Sequence, residues 1–147
     1  MGQLWAGYLA TGTVTFIPRH EVSPETDQPA LTYTFQPFEG PEEVVTVPYL
    51  LATAARPSLL MVTTKAGDTL DAVESNLHCI SPDTPIVLFQ NGMGCQQAVA
   101  GRWPQRPILA ASTTEGANRP APGCTAHAGK GETWVGPLTT SATTHLA

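Results

Sequence analysis

Two short apolar runs, each stopped by one polar residue, constrain this chain more than any other feature. Residues 59–64, Leu-Leu-Met-Val-Thr-Thr, run into Lys65. Residues 85–90, Pro-Ile-Val-Leu-Phe-Gln, run into Asn91 and then Gly92, Met93 and Gly94. A run this short, with apolar residues at odd and even positions alike, fits a strand buried on both faces. Such strands belong to parallel sheets covered by helices, and ligands of open α/β sheets bind at the carboxyl ends of the strands. Lys65 and Asn91 are therefore candidate ligand-facing residues.

The rest of the chain alternates in the way such a sheet needs. Leu4, Trp5, Tyr8 and Leu9 make a helical stripe, Thr11 and Gly12 suit its end, and residues 14–17 read as a strand. The chain thus opens on a helix, in the middle of a βαβ unit. Residues 31–35 and 45–47 alternate with period two and predict two short edge strands, with a turn near Gly40 and Pro41. A short helix is expected over 49–55. Leu70, Val73, Leu77 and Ile80 predict a helix over 67–80, with Asp68 in its favourable first turn. Another helix follows over 94–103 and a strand over 107–114. Strands at 125–128 and 133–136 are expected to form a hairpin across Gly129-Lys130-Gly131, and the small polar residues 139–147 to fray. The predicted class is α/β, with a mostly parallel sheet covered on both faces.

Composition narrows the function classes. A length of 147 residues suits one domain with a real core, and 13% charged residues is about half the usual share. A net charge of −5 without any Lys/Arg cluster argues against nucleic acid as a partner. Cys79, Cys95 and Cys124 include no Cys-x-x-Cys pair, and His20, His78, His127 and His145 are scattered, so no metal site is expected. The cysteines read as small buried thiols in a reducing compartment. No apolar stretch is long enough to span a bilayer, and no basic-then-apolar leader is visible, so the expected setting is cytoplasmic without a membrane partner.

Taken singly, each candidate residue has two readings. Lys65 is either a surface lysine at a strand-to-helix turn or an ammonium that meets a phosphate or a carbonyl. Asn91 is either half of an ordinary Asn-Gly turn or a carboxamide able to donate and accept to a ligand. Arg19 lies where a dinucleotide fold places an acidic residue for a ribose hydroxyl or an arginine for a 2′-phosphate, and it is otherwise an exposed loop arginine. Gly2 directly precedes the first helix and suits the last glycine of Gly-x-Gly-x-x-Gly.

Together these segments resemble the ketopantoate reductases (2-dehydropantoate 2-reductases). The matching stretches are Gly2-Gln3-Leu4-Trp5, Val62-Thr63-Thr64-Lys65-Ala66 and, most specifically, Gln90-Asn91-Gly92-Met93-Gly94. Ser112-Thr113-Thr114, Ala117-Asn118-Arg119, His127-Ala128-Gly129 and Trp134-Val135-Gly136-Pro137 follow in the right order, so the resemblance spans residues 2–137. It implies a Rossmann-like doubly wound sheet lacking its first strand, with residues 1–138 as an incomplete dinucleotide-binding domain. It implies NADPH as cofactor, a small 2-oxo acid as substrate, and reduction of ketopantoate to pantoate in pantothenate and coenzyme A synthesis. By position, Gly2 would face the pyrophosphate and Arg19 the 2′-phosphate. Lys65, Asn91 and Ala117 would line the cofactor site, and Asn91 would also approach the substrate.

The family's first strand and first two glycines are absent from this sequence, as is the helical second domain that carries the catalytic lysine and much of the dimer contact. No catalytic residue is therefore assigned, the fragment alone is expected to be inactive, and a homo-oligomer is expected only of a full-length protein. Without the first strand, residues 14–17 and 59–63 lose a shared neighbour and need other backbone partners, which predicts a rearranged or unstable domain. Two other readings stay open: a related NAD(P)-dependent 2-hydroxy-acid dehydrogenase, and a non-catalytic nucleotide-binding module.

Overall fold

The structure, a computed structural model, describes residues 1–9, 12–17, 30–50, 56–91 and 94–146. Residues 1–54 with 114–131 form one compact unit, and residues 55–113 with 132–147 form a second. Each carries a four-stranded sheet.

The second unit holds the two apolar runs. Leu60–Val62 (β3 in chain order), Ile86–Leu88 (β4) and Ile108–Thr113 (β5) are successive parallel strands, and Thr133–Pro137 (β8) closes the sheet antiparallel to β5. Every residue of β4 is buried, so this strand is covered on both faces, as its unbroken apolar sequence requires. The helix expected over 67–80 appears as a 3-10 turn Ala66–Asp68, an α-helix Thr69–Asn76 (α2) and a second 3-10 turn Leu77–Cys79. Val73 and Ile80 are buried from the expected stripe, whereas Leu70 remains 37% exposed. A second helix, Cys95–Arg102 (α3), begins after Gly94 at φ +91, a left-handed conformation that suits glycine. The Gly94 N–H donates to Gln97 Oε1 at 3.1 Å.

The first unit is built around Ala30–Gln36 (β1) and Glu43–Pro48 (β2), an antiparallel pair with Thr32 opposite Thr46. Their hydroxyls lie 2.9 Å apart, a cross-strand pair of the kind that supports a ladder. The expectation of two edge strands holds only for β2. β1 is internal, because Cys124–Gly129 (β7) pairs parallel to its other side, and Gly116–Asn118 (β6) pairs antiparallel to β7. Helix Gly2–Tyr8 (α1) completes the unit, with Leu4 and Ala6 packed against Tyr33, Phe35 and Val47.

Several local expectations change. The hairpin of residues 125–128 with 133–136 does not form: β7 pairs with β1 and β6, and β8 with β5. Period-two sequences accept any compatible neighbour, and each strand finds a ladder elsewhere, five residue pairs long for β8. Residues 14–17 contribute one parallel bridge, Phe16 with Tyr49, instead of a strand. Phe16 N–H donates to Pro48 O, and Leu50 N–H to Phe16 O, so residues 49 and 50 are extended, not helical. Residues 51–55 lie outside the described residues. The tail expected to fray instead forms a 3-10 helix, Thr140–His145, with Ala142 fully buried. Thr139 anchors it: its hydroxyl accepts from Ile108 N–H at 3.0 Å and donates to Arg106 O at 2.7 Å.

Two predictions follow from the packing of the first unit. A Cβ at Gly7 would lie 2.7 Å from ring carbons of Phe35. Gly7→Ala is therefore expected to destabilise by about 1–3 kcal/mol through overpacking, outweighing the ~1 kcal/mol that alanine otherwise adds to a helix. A shift of the urea midpoint to higher concentration would contradict this. Burial of Tyr33 pushes its phenol up to about 12, and the hydroxyl donates to Gln3 O at 2.6 Å. The unfolded phenol titrates near ~10, so this contribution is complete below that pH and is lost as pH rises through about 12. Unfolding midpoints should fall between those pH values in the native chain and more shallowly in Tyr33→Phe.

Candidate functional site

In the second unit the carboxyl ends of β3, β4 and β5 lie side by side. Lys65 follows β3 and Asn91 follows β4, so the two candidate residues leave adjacent parallel strands at the same end. Both are exposed. The Asn91 carboxamide is held loosely, with Nδ2 3.5 Å from Thr113 O at the end of β5. The Lys65 ammonium makes no ion pair or hydrogen bond among the described residues. Its backbone carbonyl accepts from the Thr69 hydroxyl at 3.1 Å and from Asp68 N–H at 3.0 Å, which fixes the turn from strand to helix.

Two glutamines hold this rim together. Gln90 is buried, and its Nε2 donates to Val62 O at 2.9 Å and Thr64 O at 3.3 Å, tying β4 to the exit of β3. Gln96, from the first turns of α3, directs Nε2 to Leu88 O, Gln90 O and Ala111 O at 3.0, 2.9 and 3.3 Å. The sequence reading placed Gln90 in the most specific stretch without a role and missed Gln96. Its signal was a glutamine one turn into the helix that follows the Asn-Gly-Met-Gly segment.

Gly2 and Ala117 belong to the first unit, at the start of α1 and in β6. Arg19 lies outside the described residues. Arg119 sits near the start of α1: its Nη2 donates to Gln3 Oε1 at 3.3 Å, and Thr125 Oγ1 donates to the same oxygen at 2.8 Å. Burial, and then the Arg119 charge, lower the pKa of the Met1 α-amino group. The Arg119 guanidinium thus places a positive charge near the start of α1, a feature visible only once β6–β7 is folded beside it.

The first unit also contains a polar chain that sequence spacing did not reveal. Glu115 Oε2 lies 2.6 Å from His127 Nε2, and His127 Nδ1 lies 2.6 Å from the Tyr8 hydroxyl. Gly129 O also faces Nε2, at 3.0 Å. Two acceptors face Nε2, so a proton there serves both, and Nδ1 shares a second hydrogen bond with the Tyr8 hydroxyl. Phe38 N–H then donates to the Tyr8 oxygen at 3.1 Å, and Gly131 N–H to Glu115 at 2.9 Å. Among the described residues, no group of three or more His, Cys, Asp or Glu side chains is arranged to hold a metal ion, and no helix is long and apolar enough to cross a membrane.

Parallel strands joined through helices, with polar side chains at their carboxyl ends, define the Rossmann-like α/β class. The sequence profile described as ketopantoate reductase PanE/ApbA matches residues 1–140, and the chain belongs to that family. The 2-dehydropantoate 2-reductase of Vibrio cholerae is 29% identical over 138 residues, covering 94% of this chain and 44% of that protein. The chain therefore spans less than half the length of this relative. The crystal structure of 2-dehydropantoate 2-reductase from Methylococcus capsulatus superposes with a TM-score of 0.52 at 26% identity, over 59% of this chain and 28% of that one. A complex of D-mandelate dehydrogenase with NADH shares the fold, with a TM-score of 0.53 at 22% identity over 64% of this chain and 30% of that one.

Gln96→Met keeps the side-chain length and removes the donors to three carbonyls at the strand ends. It is expected to lower stability by about 1–3 kcal/mol. Amide exchange should quicken at the ends of β4 and β5 before it does so in β8, and unchanged exchange there would remove the tying role.

Proposed function

We propose that this chain is the cofactor-binding portion of a cytoplasmic reductase that uses NADPH to convert 2-dehydropantoate into pantoate, a step of pantothenate and coenzyme A synthesis. The observation that carries the reading is the pairing of Lys65 and Asn91 at one end of adjacent parallel strands, in a chain of this family. NADPH, when bound, supplies the hydride. The donor set at these strand ends suits such a ligand: an ammonium without a protein partner and a carboxamide held by one long contact.

The chain's own part is to bind and orient. Lys65 offers charge to an anionic group at the strand ends, where nothing in the described protein neutralises it. Asn91 offers both an N–H and a carbonyl oxygen, matching a substrate that presents a carbonyl before reaction and a hydroxyl after it. Gln90 and Gln96 keep the strand ends in register beneath these two residues. Gly2 lets an anionic ligand approach the backbone at the start of α1, Ala117 lines the cofactor site, and Arg19 selects the 2′-phosphate of NADPH. No residue of this chain is assigned the proton donation to the nascent alkoxide, so binding without turnover is the expected behaviour of the chain by itself.

Calorimetric titration tests this directly. NADPH is expected to bind, NADH to bind at least about tenfold more weakly, and Lys65→Met to lose about tenfold in NADPH affinity, the worth of one charge-assisted hydrogen bond. No NADPH oxidation should accompany addition of 2-dehydropantoate. Failure to bind NADPH would end the reading, equal affinity for NADH would remove the Arg19 role, and turnover would overturn the assignment of a binding part only.

A further inference from the structure

The first unit has an open cavity of about 330 Å³ toward the carboxyl end of α1. Its volume falls at the small end of the range for ligand sites, about 300–1,000 Å³. It shares no lining residue with the set proposed to face the cofactor within this unit. Gly2 and Tyr8 stand at opposite ends of α1, about 9 Å apart along the helix axis.

The walls are part aromatic and apolar, part polar. Leu4, Trp5, Tyr8 and Phe38 line the cavity together with His127 and Glu115. Tyr8 packs edge-on against Phe35, with centroids 5.0 Å apart, and His127 packs against both Tyr8 and Phe38 at 5.5 and 5.3 Å. The hydrogen-bonded chain from Glu115 through His127 to Tyr8 is part of this lining and fixes the rings, and the His127 side chain is only 7% exposed. A site whose walls are already fixed loses little ordering entropy when a ligand enters.

The mouth carries one charge of each sign. Glu39 and Lys130 both line the cavity and both are exposed. Among the described residues, neither side chain has a hydrogen bond or an ion pair. Glu115 is different: its carboxylate is already engaged by His127 and by Gly131 N–H. A carboxylate and an ammonium left unpaired beside one aromatic-lined cavity complement a ligand with both charges and an apolar body.

We infer that this cavity binds a zwitterionic α-amino acid with an apolar or aromatic side chain. The ligand ammonium meets Glu39, its carboxylate meets Lys130, and its side chain lies among Leu4, Trp5 and Phe38. The site is independent of the cofactor reading, since it uses none of the residues assigned to NADPH.

Three probes and two variants test it, each by calorimetric titration of the full chain. L-phenylalanine carries both charges, 3-phenylpropionate lacks the ammonium, and phenethylamine lacks the carboxylate. Exposed charge pairs are individually weak, so L-phenylalanine is expected to bind about threefold to tenfold more tightly than either single-charge probe. Glu39→Gln should bring L-phenylalanine down to the affinity of 3-phenylpropionate and leave 3-phenylpropionate unchanged. Lys130→Met should do the same with respect to phenethylamine. Both variants alter exposed side chains without protein partners, so circular dichroism should be that of the native chain. Equal affinity for all three probes would reduce the site to a non-selective apolar cavity and overturn the inference. So would the absence of binding at millimolar L-phenylalanine, or an affinity unmoved by both substitutions.

Discussion

The backbone of β4 is buried along its whole length, so every amide and carbonyl it carries must find a partner inside the protein. β3 and β5 supply those partners on either side, in parallel register through Ile86, Val87 and Leu88. That requirement brings the exits of three strands together and so places Lys65, Asn91 and Thr113 on one rim. Where the ladders end, the strand carbonyls also take side-chain donors. Gln90 and Gln96 supply these donors from their side-chain amides, which is why two glutamines sit beneath an exposed rim.

The first unit solves the same pairing requirement differently. Residues 14–17 make a single bridge beside Tyr49, and the bulk of the sheet is assembled from β1, β2, β6 and β7. β1 gains a parallel neighbour in β7 although almost ninety residues separate them in sequence. Glycine makes one close approach possible: a Cβ at Gly131 would lie within 2.4–2.7 Å of atoms of Thr114. This approach sits beside the Gly131 N–H bond to Glu115, and through Glu115 it connects to His127 and Tyr8. The polar chain along the cavity wall therefore depends on a backbone contact that only glycine permits.

Much of the second unit was legible in the sequence, because strongly apolar runs and a helical stripe report burial directly. The strands at 60–62, 86–88 and 108–113 and the helices between them fall where periodicity placed them. The family resemblance was legible in short segments spread from residue 2 to residue 137, and the family match covers them. Less legible were elements whose sequence fits more than one partner. Residues 125–128 and 133–136 alternate equally well in a hairpin or in separate sheets. Gly116-Ala117-Asn118 has no strand signal and forms β6 only because β7 offers a ladder. Thr139 and Ala142 look like a fraying tail until the backbone at the start of β5 gives Thr139 a donor and an acceptor.

By itself the sequence determined which strands are buried on both faces, which residues stand at their ends, and to which family the chain belongs. Those properties are local: they follow from side-chain polarity and spacing along a few consecutive residues. Strand partners, the glutamine ties across the rim, the charge of Arg119 near α1, and the Glu115–His127–Tyr8 chain were decided only by the tertiary structure. Each of these joins groups far apart in sequence, and period-two strands and single polar side chains carry no record of their distant neighbours. Backbone hydrogen bonding has to be satisfied over the whole unit, and that global condition selects among pairings that local sequence leaves equivalent.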